Sequence, residues 1–283
     1  IAMILIADSG NTKTDWCCID GLDAVNSFST SGLNALILPK DKVLSIFQSE
    51  VSEKTEGMSF SHIYFYGAGC IDASVKLKVE EALSKVFPNA TVTVESDLLG
   101  AARSLCGDKP GIACIIGTGS NSCLYDGTEI VDNMPSLGYI LGDEGSGAVL
   151  GRMLISDVMK GVLPESLVKK FQERYNLDPV TVVHRVYNES DANRFLASVT
   201  PFLLENIEEP AIHRLVLNAF KSFFTRNIMR YDNYKNKLIN VTGSIGWYFK
   251  DVLHEAADAM DCSLGAISRA PMEGLVDYHL RKG

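Results

Sequence analysis

An apolar strand that breaks into a turn of glycine and hydroxyl residues occurs twice in this chain, and that repetition constrains the fold most. The first copy reads Ile4-Leu-Ile-Ala-Asp8-Ser-Gly10-Asn-Thr12-Lys-Thr14, the second Ile112-Ala-Cys-Ile-Ile-Gly117-Thr-Gly119-Ser-Asn121. Each continues into a second strand that closes on an Asp-Gly pair, Asp20-Gly21 and Asp126-Gly127. Asp-Gly between alternating segments signals a two-residue hairpin. Turns rich in Gly, Ser and Thr expose backbone N–H groups that bind anions, most often phosphate. Two such hairpins predict two lobes, each presenting one cradle to a nucleotide.

The rest of the chain fits that frame. Its 283 residues suffice for one large domain or two ordinary ones, and 46% hydrophobic with 22% charged residues supports a sizeable core. A formal net charge of −9 argues against nucleic acid or an anionic membrane as partner. No apolar run reaches the length of a membrane span, and no signal peptide is expected ahead of Met3. Ile1 and Ala2 read as a leftover of expression. The seven cysteines are odd in number, form no C-x-x-C pair and sit in apolar runs, which predicts reduced core thiols and a cytoplasmic location.

Strand and helix alternate from the start. Residues 3–7, 14–20 and 24–29 read as a meander, 42–53 as a helix and 62–66 as a strand ending in Gly67-Ala-Gly69. Asp72 is placed to cap the next helix. Strand 91–94 runs into Glu95-Ser96-Asp97 and a small-residue helix, 98–103. The turn-rich segment 107–111 is the expected boundary between a lobe of residues 1–106 and one of 107–283. Beyond it come the second hairpin, a loop at 133–142 and a helix running towards Met159. A mostly helical stretch, 164–231, follows. Strand 238–241 then ends in Thr242-Gly243-Ser244-Ile-Gly246, and strand 263–267 precedes a terminal helix opened by Pro271. That last helix is expected to pack back on the first lobe.

Five segments carry chemistry. In the first turn Gly10 lets backbone approach a phosphate, Thr12 offers a hydroxyl and Asp8 can hold magnesium through water. Lys13 either neutralises phosphate or points to solvent, and a polar hairpin with a buried Asp would use the same residues. Gly117-Thr118-Gly119 suits a second phosphate loop, although tight turns also favour glycine. Asp97 follows a strand, where ligands sit in α/β proteins, and could accept a proton from a substrate hydroxyl; equally, Ser96 or Asp97 could cap the helix. Gly142-Asp143-Glu144-Gly145-Ser146 offers two carboxylates that could clamp sugar hydroxyls, or a helix cap. Gly243 and Gly246 allow close approach of a flat base or ribose, or form an ordinary strand-to-helix turn.

In this order the segments resemble the actin-like ATPase superfamily of sugar kinases, heat-shock 70 chaperones and actin. Within it the chain is most similar to BadF/BadG/BcrA/BcrD-type ATPases and their N-acetylglucosamine kinase-like members. The first phosphate motif matches residues 8–14, the second 117–121, the adenosine motif 241–246, and the Gly-Asp-Glu-Gly-Ser signature 142–146. The resemblance implies an α/β, two-lobed actin-like ATPase (ribonuclease H-like) fold, with duplicated mixed-sheet lobes around a central cleft. It implies transfer of the γ-phosphoryl group of ATP to a sugar hydroxyl, with the 6-hydroxyl of N-acetylglucosamine or a related amino sugar expected.

Asp97 would then be the catalytic base, and Gly10, Asn11, Thr12, Lys13, Gly117, Thr118, Gly119, Gly243 and Ser244 the ATP and phosphate contacts. Mg2+ would sit near Asp8 through water. Asn34, Thr118, Asn121 and Asp143 would hold the sugar. Leu137 stands where the family's animal kinases carry a Trp, and Ala35-Leu36 follows Asn34 without an aromatic. Two other functions fit the superfamily: an ATPase activator of a 2-hydroxyacyl-CoA dehydratase, with Cys70 as a cluster ligand, and a non-catalytic ATP-binding regulator. A homodimer is the expected assembly, dimers being commonest.

Overall fold

The computed structural model describes residues 3–282; Ile1 and Ala2, read as an expression leftover, lie outside them. The chain divides into two compact units. One runs to Lys109 and takes in Gly127–Ile130 and the chain from Ala270; the other comprises Pro110–Asp126 and Val131–Arg269.

Each unit is built on a five-stranded sheet. In the first the strands are β1 (Met3–Ser9), β2 (Lys13–Asp20), β3 (Asp23–Ser31), β4 (Phe60–Gly67) and β5 (Thr91–Ser96), in the order β3-β2-β1-β4-β5. In the second they are β6 (Gly111–Ile116), β7 (Ser120–Tyr125), β8 (Ile130–Asp132), β9 (Ile239–Thr242) and β10 (Leu264–Ser268), in the order β10-β9-β6-β7-β8. Read from the other edge, the second order is the first with five added to each number. The directions repeat too: β1 pairs antiparallel with β2 and parallel with β4, as β6 does with β7 and β9. The repeat seen in sequence is thus a duplicated α/β mixed sheet, the actin-like fold.

Strand β1 shows why the apolar runs are continuous. Side chains alternate between faces of a strand, and both faces are covered here. Leu5 and Ala7 join one buried cluster with Trp16, Cys18, Phe47 and Phe65, while Ile6 joins another with Cys17, Ile19, Tyr66 and Leu275. A strand buried on both sides has no polar alternation to display. The terminal helix Met272–Lys282 supplies the second cover, packing on β1, β2 and the helix Asp97–Cys106.

Three local expectations are corrected. The first hairpin pairs Asp20 with Asp23, so its two-residue loop is Gly21-Leu22, with positive φ (61°) at Gly21. Asp-Gly at the loop centre would need positive φ at both positions, whereas glycine at the first suits the other favoured hairpin turn. The loop at 133–142 contains a helical turn, Gly138–Leu141, too short for periodicity to reveal. The helix read at 42–53 spans 40–54 and changes pitch: Phe47–Val51 is a π-helical segment between α-helical pieces.

A half-buried aromatic ladder packs against the terminal helix. His62, Tyr64 and His279 stack with ring centroids 4.1 and 3.9 Å apart. Arg103 donates to the Tyr66 hydroxyl (3.0 Å), which lies 2.9 Å from His279 Nε2. With Arg103 donating to the hydroxyl, that hydroxyl gives its own proton to a neutral imidazole. Burial, with help from Arg103, His62 and Lys282, lowers the His279 pKa to about 4. Between pH 6.5 and 4 the unfolded chain therefore binds a proton that the folded chain refuses, and stability falls as pH falls. From pH 7 to pH 5 we expect His279 to cost about 2 kcal/mol. Thermal melts of wild type and His279→Gln at both pH values check this; equal losses would contradict it.

Candidate active site

In the first unit the site residues collect at the C-terminal ends of β1, β4 and β5. The register aligns Ser9 with Gly67 and Gly67 with Ser96, so Gly10 and Asp97 leave the same sheet edge. Ser96 is the helix cap, accepting from Leu99 N at 3.2 Å. Asp97 is thereby released from capping that turn: it is the first helical residue, and its carboxylate accepts from the neighbouring Leu98 N (2.9 Å) and from its own backbone N–H. Surrounding protein raises its pKa to about 6 by desolvation, against the pull of the Leu98 N–H.

Asp8 lies close enough to feel this charge. Its pKa rises to about 7 through desolvation, then the charges of Asp97 and Asp15, opposed by Lys13. Lys13 itself is ion-paired with Asp15 at 2.7 Å and is largely exposed. Two half-buried carboxylates that resist joint ionisation form an oxygen donor set suited to a hard divalent cation. No group of three or more potential metal ligands occurs among the described residues. Magnesium fits such a site, because it binds through one or two carboxylates and takes its other ligands from phosphates and water.

The Gly10–Lys13 turn is fixed by the strand end after β3. Gly32 N donates to Thr12 O (3.2 Å) and Leu33 N to Gly10 O (3.1 Å). A Cβ on Gly32 would lie 2.5 Å from the backbone of Asn11 and Thr12, so glycine is required for the approach. Asn34 donates through Nδ2 to Asn11 Oδ1 (2.8 Å) and accepts from Leu36 N at 3.1 Å. The Asn11 side chain thus faces Asn34. Gly69, at positive φ (78°), gives Asn34 room: a Cβ there would lie 2.4 Å from Asn34 Oδ1.

In the second unit Gly117, Thr118 and Gly119 link β6 to β7, and Gly243 and Ser244 follow β9, the parallel neighbour of β6. The two motifs touch: a Cβ on Gly243, whose φ is 122°, would lie 2.4 Å from Ile116 O. Gly117 O and Thr118 O accept from Gly147 N (2.8 Å) and Ala148 N (3.0 Å), tying the loop to the helix Gly147–Met159.

Asp143 borders the loop, its Oδ2 3.1 Å from where a Cβ on Gly119 would sit. It adopts positive φ (53°), a conformation Asp tolerates better than most residues, and its N donates to Ser136 O at 2.9 Å. Its pKa rises to about 6 through desolvation and, more weakly, the Glu144 charge, opposed by the Ser120 N–H. Asn121 accepts through Oδ1 from Ser122 N (2.9 Å) and Asn133 Nδ2 (3.1 Å).

Glu144, the second carboxylate of the signature, is engaged elsewhere. It pairs with Arg226 and accepts from the buried Asn227 at 3.2 Å. Arg226 and Asn227 give no signal in sequence, since their partner Glu144 lies about eighty residues away. Cys70, the cluster ligand of the activator reading, is a buried thiol pushed up to about 12 by desolvation and the Asp97 charge, which disfavours thiolate.

The duplicated mixed sheet is the actin-like fold. A Porphyromonas gingivalis protein described as a candidate N-acetylglucosamine kinase matches at 42% identity, covering 98% of this chain and 99% of its own, with a TM-score of 0.95. Another candidate N-acetylglucosamine kinase, from Chromobacterium violaceum, shares the fold at 18% identity and TM-score 0.77, covering 98% and 99%. So does MreB5 of Spiroplasma citri, solved with ADP, at 11% identity and TM-score 0.59, covering 98% and 95%. No protein-family model and no curated protein matches. The chain belongs to the N-acetylglucosamine kinase-like family, whose fold is the actin-like one.

Proposed function

We propose that the chain is a sugar kinase that transfers the γ-phosphoryl group of Mg-ATP to a hydroxyl, expected to be the 6-hydroxyl, of N-acetylglucosamine or a related amino sugar. The observation that carries this reading is Asp97. It is a half-buried carboxylate, freed from capping by Ser96 and held at a pKa of about 6, beside Asp8 at the sheet edge that carries the first phosphate turn. A carboxylate titrating near neutrality can orient a sugar hydroxyl and take its proton. Phosphoryl transfer asks little else of the protein but positioning and charge stabilisation.

The backbone of Gly10–Lys13 and Gly117–Gly119 would hold phosphates, and Gly243 with Ser244 would flank the adenosine. Asp8 would hold magnesium through water. Magnesium bound there would offset negative charge on the phosphate oxygens. Asn34, Thr118, Asn121 and Asp143 are the proposed sugar contacts. A cytoplasmic location suits the seven free thiols, and among the described residues no helix is long and apolar enough to cross a membrane.

Asp143 tests the acceptor side. Removing its carboxylate should weaken N-acetylglucosamine binding about tenfold or more while Mg-ATP affinity changes less than twofold. Calorimetric titrations of wild type and Asp143→Ala with each ligand check this. Equal loss of both affinities would make Asp143 a prop of the second phosphate loop instead.

A further inference from the structure

The segment Ser31–Asn34 runs along the Gly10–Lys13 turn of the first unit's site, and one side chain grips it from outside the meander. Glu50 accepts from Ser31 N through Oε2 (2.7 Å) and from Ser31 Oγ through Oε1 (2.8 Å). From Ser31 onwards the chain is bonded residue by residue to the first phosphate turn. Thr14 Oγ1 donates to Ser31 O (3.1 Å), Gly32 N to Thr12 O, Leu33 N to Gly10 O, and Ser9 Oγ to Leu33 O (3.2 Å). Asn34 then reaches Asn11. A displacement of Ser31 would therefore move the phosphate turn and the proposed sugar contact together.

Glu50 stands in the π-helical segment Phe47–Val51. Phe47 and Val51 are fully buried, whereas Glu50 keeps a partly exposed position facing the end of β3. A π turn inserts one residue and re-aims the side chains that follow, and such turns gather at functional positions. Both Glu50 oxygens are engaged by one residue, a bidentate and charge-assisted arrangement that fixes position as well as contributing energy.

We propose that Glu50 is a positioning residue for the transfer reaction. Through Ser31 it sets the phosphate turn and Asn34 in one register, so nucleotide and acceptor depend on it jointly. The proposal rests on the kinase reading for its acceptor half; its nucleotide half can be read without turnover.

The test is kinetic and calorimetric, on the full chain. Glu50→Ala should raise the KM for ATP and for N-acetylglucosamine, each about tenfold, and weaken Mg-ADP binding by a similar factor. Glu50→Gln keeps an acceptor for Ser31 N and can meet the hydroxyl with its amide, so it should restore both constants to within about threefold. Ser31→Ala, which removes only the hydroxyl bond, should fall between and serves if Glu50→Ala does not fold. Loss of thermal stability in Glu50→Ala with unchanged KM values and Mg-ADP affinity would overturn the proposal. So would a Glu50→Gln variant as impaired as Glu50→Ala. A wild-type protein that binds Mg-ADP but phosphorylates no sugar would count against the kinase reading alone, because the Mg-ADP comparison among variants would still decide the role of Glu50.

Discussion

Asp97→Asn should abolish sugar phosphorylation, lowering kcat by about a thousandfold, while Mg-ATP affinity stays within about threefold of wild type. The amide keeps the side-chain volume and still accepts from Leu98 N, so the start of the helix Asp97–Cys106 is preserved. What it loses is the ability to take a proton. Two further effects follow from the pKa of about 6. In wild type, kcat/KM should fall about tenfold per pH unit below 6 and level off above it, since the base must be ionised. The second effect concerns stability. A carboxylate whose folded pKa is raised contributes stability when protonated and loses it as pH rises through the folded value. At pH 8 Asp97→Asn should therefore be more stable than wild type, by roughly 1–3 kcal/mol. ADP release, calorimetry and thermal melts read the three effects. A variant with retained turnover would remove Asp97 as the base.

Gly243→Ala should have the largest effect on the second unit. A Cβ at this position would lie 2.4 Å from Ile116 O and 2.7 Å from Ile116 C, and φ is 122°. Backbone cannot yield as a flexible side chain would, and an L residue is strained there as well. Together these should cost about 3–5 kcal/mol, which lowers the melting temperature by about 5–8 °C in a chain of this size. Ile116 immediately precedes Gly117, so relaxation of the clash deforms the second phosphate loop. Mg-ATP binding should be undetectable even at temperatures where the variant is folded. A variant with wild-type melting and wild-type nucleotide affinity would contradict the placement of these two motifs against each other.

The parts of the site that sequence reveals are those whose chemistry is local. Gly117-Thr118-Gly119 stands out because a glycine-and-hydroxyl turn at a strand end has few uses, and its repetition of the Asp8–Thr14 turn exposes the duplicated sheet. Asp72 was legible as a cap because the capping bonds to Ser74 N and Val75 N lie within three residues. Ser96 and Asp97 could not be separated in sequence, since either can cap; only the observed bond to Leu99 N assigns the cap to Ser96.

Other features depend on partners that no local pattern announces. Gly32 looks like an ordinary glycine until the turn at Asn11 and Thr12 packs against it. Glu144 appeared to share the task of Asp143, yet it meets Arg226 and Asn227 about eighty residues away. The π segment that carries Glu50 is invisible because one inserted residue leaves the apolar pattern Phe47–Val51 intact.

The most direct test of the whole account is sugar-dependent ADP release by the wild-type chain with Mg-ATP, across N-acetylglucosamine, other amino sugars and hexoses. The account predicts turnover stimulated by N-acetylglucosamine or a close amino sugar, with little ADP formed in the absence of acceptor. Slow ATP hydrolysis indifferent to every sugar would contradict it.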